Sequence, residues 1–212
     1  MGYEMPSRPQ FLVGALQGLA FWIGHRHAMF SEYPLPEGAL VAEACNLIQA
    51  NLDSSRKLRP EIQYRHLVPE GTEIRGVGNR ARADLVVLST EGVHLPRNAN
   101  IAAHVQFVFE VKRSAAPWSE IRSDIMRLHD FLEACDSRAR GFLIVVAEGR
   151  APKRFVEKGV SRLGPQPIPG RPGCYHVRRT VKAAASFANQ SSAHFVCLLE
   201  VFRRRPAKLP PI

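Results

Sequence analysis

Residues Ala81–Ser89 read ARADLVVLS and His104–Arg113 read HVQFVFEVKR. Both stretches are short, rich in β-branched and aromatic residues, and bounded by Gly, Pro and Asn, so they predict two strands largely buried in one sheet, as neighbours. Side chains alternate across a strand, which puts Val108, Glu110 and Lys112 on one face and Phe109 and Val111 on the other. A carboxylate and an ammonium therefore lie side by side at the end of the second strand. Ionised groups are costly to bury without partners, and a sheet serving only as scaffold would more simply carry Val or Ile there. Asp84 poses the same question, because it leads from a basic loop into the apolar run LVVL. One arrangement accounts for all three charges: Asp84 and Glu110 converge on a divalent cation, with Lys112 beside it. The alternative is a structural sheet in which Glu110 and Lys112 form an ordinary ion pair and Asp84 lies far away.

The flanking sequence supplies the rest of a mixed α/β unit. Leu40, Val41, Ala44, Cys45, Leu47, Ile48 and Leu52 make one helical stripe over Glu37–Leu52, with Glu43 at its border. Leu58–Val68 predicts the strand before Asp84, with Pro60 marking an edge or a strand start. The loop Pro69–Arg82 carries Arg75, Arg80 and Arg82, and its Gly76 and Gly78 let it bend towards a phosphate backbone; a solvated hairpin tip is the alternative. No Gly-Lys-Ser/Thr or third Gly follows, so it is neither a P-loop nor a dinucleotide fingerprint. Thr90–Ala103 is a long connection. Pro117 opens a helix with Trp118, Ile121, Ile125, Leu128 and Leu132 on its buried stripe, Asp124 on the border and Glu120 farther round. Surface ion pairing with Arg122, Arg127 or Lys112 is the simpler role for those two acids. Gly141–Ala147, GFLIVVA, is a buried strand.

Asp84 followed by the strand FVFEVKR with Glu110-Val111-Lys112 resembles the PD-(D/E)xK nuclease superfamily and its restriction-endonuclease-like fold. An E-x-K triplet alone is common by chance, but here an upstream Asp opens one strand, the triplet closes the next, and a helix and an apolar strand follow. Ala83 stands where the motif has Pro, a supporting position with no chemical role. The resemblance implies an α/β core of helix, three-stranded meander, helix and strand over residues 37–148. It implies magnesium or manganese held by Asp84, Glu110 and the carbonyl of Val111, and Lys112 orienting or helping to deprotonate the attacking water and holding the scissile phosphate. Glu43, as the first-helix Glu, completes the site, and Glu61 competes for that role. The activity implied is hydrolysis of DNA phosphodiester bonds by an endonuclease of restriction, repair or mobile-element defence, with RNA open as a substrate. A catalytically silent nucleic-acid-binding or assembly module on the same fold is the alternative.

Charge agrees with a polyanionic partner. The 212 residues carry net +10 with a pI near 10.0, while 45% hydrophobic and 23% charged residues are ordinary for a globular chain. Residues 149–212 hold thirteen Lys and Arg against two Glu, so this third carries most of the excess. The expected polyanion contacts are Arg75, Arg80, Arg82, Arg113, Arg178 and Arg179. Phe155–Leu163 predicts a short helix, GPQPIPGRPG a connector, and Tyr175–Val181 and Phe195–Phe202 two further strands, so 149–205 reads as a basic β extension of the same domain and 206–212 as a disordered tail. The four cysteines are far apart and form no C-x-x-C pair, and His25-x-His27 lacks a third ligand, which argues against zinc. Reduced thiols suit a cytoplasmic protein. In residues 1–36, Phe11–Gly24 is too short to cross a bilayer and contains Gln17, so it predicts a buried helix capped by Ser7 that runs to about Trp22. That helix either packs on the sheet or forms a homodimer interface.

Overall fold

The computed structural model describes residues 6–30, 34–96, 98–135, 138–184 and 193–204. Helices α1 (Phe11–Met29) and α2 (Glu37–Asn51) precede strands β1 (Arg56–Gln63), β2 (Arg82–Ser89) and β3 (Val105–Arg113), after which come α3 (Trp118–Ala134) and β4 (Arg140–Ala147). Short strands β5 (Val156–Glu157), β6 (Val160–Ser161) and β7 (Gln166–Pro167) lead to the long strands β8 (Cys174–Ala184) and β9 (Ala193–Phe202). Seven strands form one sheet in the order β1-β2-β3-β4-β9-β8-β7, and β5 pairs only with β6. β1, β2 and β3 are an antiparallel meander, while β4 runs parallel to β3. A parallel neighbour requires a crossover, which α3 provides. The order helix, meander, helix, strand is therefore present, and the C-terminal extension continues the sheet through β9, antiparallel to β4.

Alternation along the strands sorts the core into two layers. Val86, Val108, Leu143 and Val145 face α3, whose Ile121, Ile125, Leu128 and Leu132 cover them. Leu85, Val87, Phe107, Phe109, Val111, Phe142 and Ile144 face α1 and α2. On that side α1 buries Leu12, Leu16, Leu19 and Ile23 at helical spacing, which meets within the chain the need for cover that made a homodimer interface an alternative. Phe21 and Met29 remain exposed. Helix α1 lies close on α2: a Cβ at Gly18 would sit 2.9 Å from a methyl of Leu47.

Several boundaries differ from the sequence reading, each for a local reason. Helix α1 starts at Phe11 with Gln10 in the N-cap position and no side-chain cap, so Ser7 lies three residues too early to cap it. It also continues to Met29, with Arg26 and His27 in the last turn, where cations favour the negative end of the helix dipole. β1 starts at Arg56 and ends at Gln63, giving way to a 3-10 turn at Tyr64–His66. No helix forms at 155–163. Lys158 and Gly159 both have positive φ, the requirement of a two-residue hairpin turn, and β5 and β6 flank it. The expected disordered tail 206–212 lies outside the described residues.

Arg178, expected at a nucleic-acid surface, instead belongs to the interior. β8 slips register beside it, between Val177 and Arg179. Its guanidinium lies 3.1 Å from Glu200, which also pairs with Arg140 at 2.7 Å, and it donates to the carbonyl of Pro6. Glu200 is 1% exposed. Breaking a buried pair strands the opposite charge, so Glu200→Ala is expected to lower stability by about 3–5 kcal/mol. Urea unfolding measures this; a loss under about 1 kcal/mol would mean that water already solvates the two arginines.

Candidate active site

The site lies where β2 and β3 part. Their ladder runs through the pair Leu85 and Phe109 and stops there. One step further along the same register Asp84 stands opposite Glu110, and in place of a ladder bond the Asp84 carboxylate accepts the backbone N–H of Val111 at 2.7 Å. An acid opening β2 is thus fixed against the triplet closing β3. On its other side β1 is irregular. Pro60 pairs with Leu85 and Ile62 with Ala83, leaving Glu61 opposite Asp84 without a ladder partner and with φ of 57°. The Glu61 carboxylate is 3.9 Å from Arg82.

A chain of charged contacts runs from Glu110 to α2. The Tyr64 hydroxyl donates to Glu110 at 2.6 Å, and Arg127 donates to the same oxygen at 3.1 Å. Arg127 also lies 3.1 Å from Asp124, one turn back on α3, and Asp124 lies 3.5 Å from the Lys112 ammonium. Lys112 in turn donates to Glu37 at 2.7 Å. Glu110 and Asp124 are buried at 3% and 4% exposure. A cleft of about 520 Å³ opens beside Asp84, lined by Glu37, Val41, Cys45, Pro60 and Glu61 among others.

The carboxylates are short of positive charge. Burial pushes Asp84 up to about 6, with Glu61 and Asp124 adding repulsion against the Val111 hydrogen bond and the charge of Lys112. Burial likewise pushes Glu110 up to about 8, helped by Asp84 and Asp124 and opposed by Arg127 and Tyr64. Burial also raises Asp124, against the pull of Lys112 and Arg127. For Lys112 burial works downward, but the hydrogen bond to Glu37 and the charges of Asp124 and Glu37 outweigh it, and its pKa is raised. The lysine is therefore a firm cation at neutral pH.

This donor set fits a hard divalent ion. Among the described residues no three His, Cys, Asp or Glu side chains are grouped as metal ligands. Two neighbouring carboxylates and a backbone carbonyl are nevertheless the number and type that magnesium uses while it keeps several waters. Raised acids are also the condition that an added cation relieves.

The structure brings Asp84, Glu110, Val111 and Lys112 together. Glu43 is elsewhere: it sits about 160° round α2 from Val41 and Cys45, which line the cleft. Its expected place on the first helix is taken by Glu37, which opens α2 and reaches Lys112. Glu61 lines the cleft next to Asp84. Asp124 does pair with Lys112 and Arg127, two of its expected partners, but as a buried bridge and not a surface acid; Arg127's contact with Glu110 and the whole role of Tyr64 were not expected from the sequence. The signal available for Asp124 was its place three residues after Ile121 on the apolar stripe. Of the expected phosphate contacts, Arg75 and Arg80 are exposed on their loop, Arg82 is exposed beside Glu61, and Arg113 lies 3.5 Å from Glu148. Arg179 is half-buried, and burial followed by repulsion from Arg8 lowers its pKa.

No helix among the described residues is long and apolar enough to cross a membrane. No protein-family model matches the chain, and no curated protein matches it. Among solved structures, the cAAA-bound form of NucC from P. aeruginosa ATCC27853 aligns with 61% of this chain at 12% identity and a TM-score of 0.34. The alignment takes in 52% of that protein, so this chain spans about half its length. A superposition at that level fixes neither fold family nor activity, and the chemistry of the site has to be read from its own geometry.

Proposed function

We propose that this chain is a metal-dependent nuclease of the PD-(D/E)xK type on a restriction-endonuclease-like core, cutting DNA internally in restriction, repair or mobile-element defence. The observation that carries this reading is the carboxylate of Asp84 held on the N–H of Val111, between Glu110 and Lys112 of the adjacent strand. Asp84, Glu110 and the carbonyl of Val111 would hold magnesium or manganese. Such an ion activates water and neutralises charge on the phosphate in the transition state. Tyr64 and Arg127 fix the rotamer of Glu110 from the α3 side. Lys112, kept protonated by Glu37 and Asp124, holds the scissile phosphate and orients the water as a cation; it is not the general base. Glu37 is then a positioning residue, taking the first-helix role that the sequence reading gave to Glu43.

One observation favours the silent-module alternative. The same Glu110 oxygen already accepts from both Tyr64 and Arg127, so one oxygen of this buried carboxylate has its partners without an ion. Nicking of supercoiled plasmid decides between the two. The parent is expected to nick with magnesium and stop with chelator, and Asp84→Asn to lose about 10²-fold or more in rate. Magnesium-independent nicking, or an Asp84→Asn variant as fast as the parent, would overturn the nuclease reading.

A further inference from the structure

The hairpin of β5 and β6 has no part in the site described so far. It grows from the segment after β4 and is anchored at its base: Phe155 is buried against Trp118, the first residue of α3, with ring centres 6.4 Å apart. Arg154 lies 3.9 Å over the Trp118 ring, and Ser161 donates to Thr180 of β8 at 2.9 Å. Phe155 and Val156 belong to the core layer on the α3 side, the side of Glu110 and Asp124. Trp118 stands six residues before Asp124, about 9 Å along the helix. A two-stranded projection is thus fastened to the end of α3 nearest the carboxylates.

Its composition is one-sided. Arg150, Lys153, Arg154, Lys158 and Arg162 are all exposed, and Glu157 is the single acid from 150 to 162. Among the described residues no carboxylate forms an ion pair with any of the five. That distinguishes them from Arg82, Arg113, Arg140 and Arg178, each committed to a glutamate. Lys158 occupies the turn itself with φ of 50°, where Asn or Gly would be easier. Val160 and Leu163 stand among these cations at 62% and 63% exposure. Solubility alone accounts for a lysine at the tip but not for two large exposed apolar side chains on either side of Arg162. A nucleic-acid backbone, which offers phosphates and apolar sugar faces together, fits both.

We infer that this hairpin is an arm that carries Lys153, Arg154, Lys158 and Arg162 onto the phosphates of the duplex whose scissile bond lies at Lys112. The inference rests on the nuclease reading for the identity of the duplex. Each neutralised phosphate contributes about 0.9 to the slope of log affinity against log salt. Binding of a short DNA duplex is measured across a salt series in chelator, with Glu110→Gln as the background so that no cutting intervenes. Adding Lys158→Asn and Arg162→Gln, the first chosen because Asn tolerates the turn, is expected to flatten the slope by roughly two. Removing two exposed cations at the opposite end of the sheet, Lys57→Ala and Arg138→Ala, is expected to leave it unchanged. Thermal melting checks that both variants are folded.

A hairpin variant with the full slope, or equal flattening by the far-end variant, overturns the inference. So does binding to phosphatidylserine vesicles as tight as to the duplex and equally lost in the hairpin variant, which would assign the arm to a lipid surface. If the hairpin fails while the parent still nicks plasmid, the nuclease reading stands without the arm. If the slope flattens as expected but the parent never nicks, the arm stands on a silent module.

Discussion

Glu110→Gln is expected to slow magnesium-dependent DNA cleavage by ~10²–10³-fold and to stabilise the metal-free protein at alkaline pH. The two effects share one cause. Glu110 is 3% exposed, and burial with the neighbouring Asp84 and Asp124 lifts its pKa from the ordinary 4.5 to about 8. In the folded, metal-free protein the group therefore holds a proton that the unfolded chain gives up. Its contribution to stability is complete below about pH 4.5 and is lost as pH rises through about 8. Asp84 acts in the same direction between 3.8 and about 6. Each pKa unit corresponds to about 1.4 kcal/mol, so the Glu110 contribution is on the order of a few kcal/mol. Glutamine keeps the shape and cannot ionise. Urea unfolding without metal at about pH 5 and about pH 8 reads the effect as a difference, with the parent losing more stability than the variant between the two. A parent and variant with parallel pH dependence would show that Glu110 is already ionised through its contacts with Arg127 and Tyr64. A variant that cleaves at the parental rate would remove Glu110 from the chemistry.

The parts of the site legible in the sequence are those that break a local rule. Asp84, Glu110 and Lys112 stand out because ionised residues interrupt runs of Val, Leu and Phe, and the alternation of β3 was enough to place Glu110 and Lys112 on one face. The parts not legible come from other elements and obey their own local rules. Tyr64 is an ordinary residue at the end of a strand, and only the turn after β1 aims its hydroxyl at Glu110. Arg127 reads as a helix surface residue until α3 is laid on β3. Glu37 and Glu43 differ by six positions on α2, about 240° of helical phase, and a stripe of Leu, Val and Ile tells which face is apolar but not which flank meets the neighbouring strands. The charge count had the same limit. Thirteen Lys and Arg after residue 148 look alike as a total, although Arg178 neutralises Glu200 in the interior while Lys158 stands on a turn in solvent. Apolar residues at 155, 156, 160 and 163 suit a helix as well as a hairpin, and the positive φ at Lys158 and Gly159 decided between them.

Lys112→Ala is expected to cost ~10²–10³-fold in cleavage at saturating DNA, with duplex affinity changed less than about threefold, because the far larger basic surface dominates binding. Arginine is not expected to rescue it. The ammonium fits between Glu37 at 2.7 Å and Asp124 at 3.5 Å, with Arg127 already on the other side of Asp124. A second planar fork there would compete for the same acids and turn away from the phosphate. At saturating magnesium, where the ion keeps Asp84 and Glu110 ionised so that neither adds a limb, the pH profile of the parent separates the cationic role from a basic one. With Glu37 and Asp124 raising its pKa, Lys112 stays protonated through the neutral range, so it should contribute no limb to the rate between about pH 6 and about pH 9. A general base has to lose its proton to act, and would make the rate climb steadily with pH. Glu37→Gln tests the same geometry from the other side. It keeps a hydrogen-bond acceptor for Lys112 while removing one of the two charges that hold it protonated, so its cost should be near tenfold, well short of the loss in Lys112→Ala. Equal losses in the two variants would mean that Glu37 acts on the substrate or the ion itself, and not through the lysine.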